Sequence, residues 1–186
     1  QIIMDDYISN DICIIFGCEY NKPLDPELIS HYKKIIFCDY YCLGDELFEL
    51  YENNSYELMN YPWSDSKFNM RLDNSLSNCS SLTHIIFGSN FSQPLSNALV
   101  VCTSLTYIKF GWKFNQPLDD SLNNCTALTH IIFGGSFNLH LFNSLDNCIS
   151  LTHIEFGTYF SQPLDNSLNN CTSLTHIKFG GFFNRR

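Results

Sequence analysis

The stretch FSQPLDNSLNNCTSLTHIKFGGF, residues 160–182, decides the fold. Its second half, NCTSLTHIKFG (170–180), has near-copies at NCISLTHIEFG (147–157), NCTALTHIIFG (124–134), VCTSLTYIKFG (101–111) and NCSSLTHIIFG (78–88). Five consecutive units of 23 residues therefore begin at Phe68, Phe91, Phe114, Phe137 and Phe160 and run to Phe182. Within one unit the apolar positions are Phe160, Leu164, Leu168, Cys171, Leu174, Ile177 and Phe179. In LTHIKF, Ile177 and Phe179 alternate with His176 and Lys178, the period of a short strand with two side chains turned inward and two outward. Gly180 then lets the chain bend away. QPLDNSLNN carries the Pro, Asp, Asn and Ser of turns and caps, while Leu164 and Leu168 point back inside. No such unit can bury its own core, so neighbours must stack, with strands about 4.8 Å apart in a parallel sheet.

The spacing L-x-x-C-x-x-L-x-x-I-x-F is that of a leucine-rich repeat. The expected fold is a repeat solenoid, a right-handed superhelix or horseshoe, with turns and short helical segments opposite its sheet. The same comb runs through the first 67 residues: Ile14 and Phe16; Tyr32, Ile35 and Phe37; Leu50, Asn53, Tyr56, Met59 and Tyr61. Strand-ending aromatics then fall at Phe16, Phe37, Tyr61, Phe87, Phe110, Phe133, Phe156 and Phe179, which predicts a parallel sheet of about eight strands, one per coil of 21–26 residues. The chain reads as one continuous solenoid domain. Residues 1–67 form irregular acidic repeats and a cap, 68–182 the five regular units, and 183–186 the truncated start of another.

The unit openings FNQPL (114–118), FSQPL (91–95 and 160–164) and YNKPL (20–24) resemble the FNIP repeat, a leucine-rich-repeat subclass of amoebae and giant viruses. The resemblance is close over 68–182 and looser over 12–67. It points to a giant-virus protein. FNMRL at Phe68 and FNLHL at Phe137 depart from it, with Arg71 and His140 in place of the proline. The resemblance implies an interaction module. Members of the family often carry an N-terminal F-box that recruits a ubiquitin ligase; no such segment is visible, so that role is not carried over.

Composition narrows the function classes. The chain has 186 residues, is 45% hydrophobic and has a formal net charge of −9. Residues 1–67 hold 13 acids and 4 bases, whereas 68–186 hold 6 of each. An acidic chain lacks the basic surface that phosphate contacts need, so nucleic acid is not an expected partner. No apolar run reaches membrane-spanning length and no basic-then-apolar leader opens the chain, so the expectation is a cytoplasmic protein, in the host cytoplasm if viral, with no membrane partner. Nine cysteines, five of them at the repeat interval (Cys79, Cys102, Cys125, Cys148, Cys171) and none in a Cys-x-x-Cys pair, read as buried free thiols.

The candidate site is a ladder on the outward face of the sheet, the face expected to be concave. One row is His84, Tyr107, His130, His153 and His176; beside it run Ile86, Lys109, Ile132, Glu155 and Lys178. Side chains on adjacent strands stack about 5 Å apart. A straight row spreads imidazoles along a line rather than converging them on one ion, so no metal is expected. Exposed Ile86, Ile132 and Tyr107 with the histidines would instead anchor a protein partner, flanked by charges. The threonines before them (Thr83, Thr106, Thr129, Thr152, Thr175) suit strand propensity and need no further role. No G-x-S-x-G elbow or Gly-rich phosphate loop is present, so neither catalysis nor a cofactor is expected. The expected function is a non-catalytic protein-interaction scaffold. The alternative is a structural or self-assembling protein: Leu174, Ile177, Phe179, Phe182 and Phe183 lack a following coil and would mediate a homodimer, unless Phe182 and Phe183 fold back as a small cap.

Overall fold

The computed structural model describes residues 2–4, 7–9, 12–17, 19–37 and 66–183. Its nine strands form one sheet in chain order. They are β1 (Ile2–Met4), β2 (Tyr7–Ser9), β3 (Cys13–Phe16), β4 (Lys34–Phe37), β5 (His84–Ile86), β6 (Tyr107–Lys109), β7 (His130–Ile132), β8 (His153–Glu155) and β9 (His176–Lys178). From β3 to β9 all seven strands run parallel, each 23-residue unit contributing one, and the coils between them make a solenoid. β1 and β2 precede this parallel run as an antiparallel meander onto β3, an addition that the repeat pattern did not announce.

Among the described residues the parallel strands number seven, where about eight were expected. The strand that was to end at Tyr61 lies outside the described residues, but β4 pairs directly with β5, Lys34 opposite His84 and Ile36 opposite Ile86. Packing shows why nothing fits between them. Phe68 stacks on Phe37 at 3.9 Å and on Tyr20 at 6.1 Å, and the Asn69 backbone N–H donates to Asn21 Oδ1 at 3.0 Å. FNMRL is thus the immediate successor of YNKPL.

The interior is two columns of aromatic rings. Phe37, Phe87, Phe110, Phe133, Phe156 and Phe179 stack at 5.4–6.0 Å down the strand ends. Tyr20, Phe68, Phe91, Phe114, Phe137, Phe160 and Phe183 stack at 5.8–6.1 Å beside them. Within each coil the two columns touch at about 4 Å, Phe133 against Phe137 for example. Offset stacks of this kind add about 0.5–1.5 kcal/mol per pair to the area they bury. Phe182 and Phe183 continue the ring stacks over Tyr159 and Phe160 rather than folding over the end, so the fold-back cap is not what the chain forms.

Opposite the sheet the expected short helical segments are largely replaced by turns. The one helix among the described residues is α1, Pro26–Ile29, started by Asp25, whose side chain accepts from the Glu27 N–H. Elsewhere each coil is a chain of tight i→i−3 bonds, as in Ser121 N–H to Leu118 O, Cys125 N–H to Leu122 O and Leu128 N–H to Cys125 O. A left-handed residue after each leucine reverses the chain: Asp73, Ser96, Asp119, Phe142 and Asp165 have φ of 37–48°. That conformation interrupts any helix, and Asp tolerates it far better than Phe.

Two further ladders set the coil spacing. Each Cys of the repeat is buried, with the Cys125 thiol held 4.0 Å from Leu99 O, and burial pushes the Cys102, Cys125 and Cys148 thiols up to about 12. After each strand the backbones approach too closely for a side chain: a Cβ on Gly134 would sit 1.8 Å from Gly111 O. Among the described residues no helix is long and apolar enough to cross a membrane.

Candidate interaction face

The outward rows take shape from the strand alternation. Ile85, Ile108, Ile131 and Ile154 and the phenylalanines two residues on are buried, which turns the residues between them to the other face. Parallel register then aligns His84 with Tyr107, Tyr107 with His130, His130 with His153 and His153 with His176. The second row aligns Ile86, Lys109, Ile132, Glu155 and Lys178 in the same way.

Ile86 is not the exposed anchor expected of it. It is 3% exposed, in register with Ile36 and, one strand on, with Ile15, both equally buried. The three isoleucines form one buried cross-strand row, so this end of the outward face is apolar and shielded from solvent. Ile132 occupies the same position on β7 but lies between Lys109 and Glu155 and is half-buried. The face opens progressively from there: His153 and Glu155 are half-buried, and His176 and Lys178 exposed. Lys178 pairs with Glu155 at 2.5 Å, an exposed bridge of little weight in stability.

The threonine row has more to do than strand propensity suggests. Each hydroxyl donates to the backbone carbonyl one coil earlier: Thr83 to Lys33 O, Thr106 to Thr83 O, Thr129 to Thr106 O, Thr152 to Thr129 O and Thr175 to Thr152 O, all at 2.9–3.1 Å. Each histidine Nδ1 lies 2.8–2.9 Å from the hydroxyl before it, in the pairs Thr83–His84, Thr129–His130, Thr152–His153 and Thr175–His176. The rings are therefore held at both ends of the contact. His130 stacks on His153 at 4.4 Å with planes 6° apart, and His153 on His176 at 4.3 Å and 5°. The threonine-histidine dipeptide at four of the five units was the sequence signal for this tether, visible only once the threonine's second partner is known.

Near-parallel rings have near-parallel lone pairs, which cannot meet at the roughly 2 Å from a single ion that metal–nitrogen bonds require. Among the described residues no group of three or more His, Cys, Asp or Glu could hold a metal. Burial, and secondarily a charge on His153, lowers the His130 pKa below its ordinary value. Two unit charges about 4 Å apart cost roughly 1 kcal/mol even in bulk water, so the neutral rings stack more readily than the charged ones.

A second ladder escaped the sequence reading. The residue after each opening aromatic accepts from the backbone of its equivalent one coil on: Asn69 Oδ1 from the Ser92 N–H, Ser92 Oγ from the Asn115 N–H, Asn115 Oδ1 from the Asn138 N–H and Asn138 Oδ1 from the Ser161 N–H. The asparagine in the FN openings is thus a coil-to-coil clamp. Asn124 adds a further bond between coils, donating to Val100 O at 2.8 Å.

The residues expected to self-associate form the last described coil. Leu174, Phe179 and Phe183 are half-buried, while Ile177, in register with buried Ile154, is 42% exposed, and Phe182 is exposed too. Beside them an aromatic rim runs along the turns: the Trp112 indole lies over Gly135 and meets Tyr159 edge-on at 6.2 Å, and Tyr159 stacks on Phe182 at 5.2 Å.

The family model for the BspA type leucine rich repeat region (6 copies) matches residues 118–184. No curated protein matches the chain. Among solved structures it is similar to CroV588, described as a novel circular LRR protein, at 22% identity over 98% of this chain with a TM-score of 0.48; it spans 32% of that chain's length. Seven parallel strands at one per coil, with a family match over the C-terminal coils, define the fold as a leucine-rich-repeat solenoid.

Proposed function

We propose that the chain is a non-catalytic scaffold for protein–protein interaction that presents the outward face of β7–β9 to a protein partner. The observation that carries this reading is the tethering of the face: the Thr–His–backbone bonds fix its side chains before any partner arrives. Preformed side chains lower the ordering cost of association, and an extended solenoid surface suits a protein more than a small ligand. The same reading keeps the FNIP-type assignment suggested by the unit openings, a giant-virus source and a cytoplasmic setting.

The experiment is capture from native cells by matched variants. Ile132→Asp alters the open face, and Ile149→Ser alters an exposed apolar side chain outside it. The reading expects partners lost with Ile132→Asp and kept with Ile149→Ser, both variants melting close to the parent. The opposite pattern would move the interface off the sheet.

Exposure of Ile177 and Phe182 favours a second reading, self-association of the 186-residue chain through its last coil. A homodimer that covers this end would appear in light scattering and vanish with Ile177→Asp; a monomer at tens of micromolar, a range of about −6 kcal/mol of association, would end it.

A further inference from the structure

We propose that the stacked imidazoles of His130, His153 and His176 form an acid-gated site for the carboxylates of an acidic peptide segment. This deepens the scaffold reading and rests on the same face. A threonine hydroxyl has one proton, and in Thr129, Thr152 and Thr175 it is given to a carbonyl of the preceding coil. The contact between each hydroxyl oxygen and the adjacent Nδ1 must then be Nδ1–H donating. The neutral rings are fixed in that tautomer, and the bare nitrogen of each is Nε2. Acid therefore adds its proton at Nε2 and breaks no bond of the ladder. The face can gain three cations while its tethers stay made.

What surrounds those cations decides the ligand. On β6 the neighbours are Tyr107 and Lys109; on β7 Ile132; on β8 Glu155; on β9 Lys178. Among these the one carboxylate, Glu155, is already paired with Lys178. Imidazolium ions stacked at 4.3–4.4 Å repel one another, and among the described residues of these strands no further carboxylate supplies their countercharge. A carboxylate bridging two adjacent rings supplies it. The outer rings stand roughly 9 Å apart by strand spacing, a distance spanned by three or four residues of extended chain at about 3.3 Å each. The recognised partner is thus a short run of Asp or Glu, and binding takes up protons.

Proton uptake sets the sign of the pH dependence. The complex stabilises imidazolium, so bound pKa values exceed free ones, and affinity rises as pH falls through the bound values, by up to about tenfold per pH unit for each proton taken up. The probe is a fluorescein-labelled octa-aspartate peptide followed by anisotropy from about pH 7.5 to about pH 5.5, a range in which its own carboxylates stay ionised. The expected result is binding at least about tenfold tighter at the acid end, with calorimetry in two buffers of different ionisation heat showing one or more protons absorbed per complex. Combined replacement by H130N, H153N and H176N keeps an N–H for each threonine and removes titration; it should flatten the profile. If that variant unfolds, the proton count in the wild type still decides.

Three results would overturn the proposal: no binding at either pH, binding without proton uptake, or equal pH-dependent binding of oligothymidylate, which would make the strip a general polyanion site. None of these touches capture of a protein partner at neutral pH, which the Ile132→Asp comparison tests separately.

Discussion

The outward face is built from equivalent positions at both ends of the sheet, yet the two ends differ in kind. Over β3–β5 the second row is Ile15, Ile36 and Ile86, sealed and apolar; over β7–β9 it is Ile132, Glu155 and Lys178, increasingly open and charged. The inward rows of the same strands hardly change, isoleucine and phenylalanine nearly throughout. A stacked coil therefore constrains its interior by contact with two neighbours, while its outer rows are free to become core in one place and surface in another.

That contrast can be broken or sharpened by substitution. The largest effect belongs to the interior that both ends share. Phe133→Ala removes a ring stacked on Phe110, Phe137 and Phe156 and should lower unfolding free energy in urea by about 3–5 kcal/mol. Half-buried Phe183, truncated likewise, should cost clearly less, and equal losses would show that the columns are not what holds the coils.

Next comes the pair that distinguishes the two ends. Ile86→Ala should cost about 2–4 kcal/mol and Ile132→Ala under about 1 kcal/mol, because only the first empties a sealed site. Similar values for both would mean that the face is equally open, or equally closed, along its whole length.

A smaller change of opposite sign is expected on the turn side. Phe142 holds φ of 46° with 72% of its surface exposed, so its ring gains little from burial while its backbone carries strain. Phe142→Asp, the residue at three of the four equivalent positions, should raise stability by about 1 kcal/mol in the same urea assay. A loss there would show that the exposed ring is held by contacts that outweigh the strain.

The smallest effect is the pH dependence contributed by His130. Its folded pKa lies below the unfolded value, so the unfolded chain takes the proton first as pH falls. The contribution to stability is full above about pH 6.5 and is lost as pH drops from there through the folded value. His130→Asn should remove that slope from melts recorded across the range.

The interior was legible because it is periodic. Ile177 and Phe179 two residues apart, repeated every 23, leave one arrangement that buries them, and the structure has it. Two things were not legible for physical reasons. Which coil follows β4 could not be read from a comb alone, since fit to a pattern does not say which coil is adjacent; the Phe37–Phe68 stack does. The fate of Ile86 could not be read either, because β-sheet alternation assigns a face and not its cover. The threonine tethers were present as a fixed letter and the clamps as Asn or Ser, but a hydrogen bond to a neighbouring coil's backbone leaves no periodic apolar signature.

The threonine ladder fixes the imidazoles of the outward face in place, and nitrogen NMR of the histidine side chains tests that most directly. Long-range proton–nitrogen spectra at neutral pH should show His130, His153 and His176 each protonated at Nδ1 with a bare Nε2, and the bare nitrogen taking the proton on acidification. Thr129→Val should release His130 alone to the ordinary tautomer mixture. Rings found protonated at Nε2, or averaging between tautomers in the parent protein, would contradict the tether and with it the preformed face.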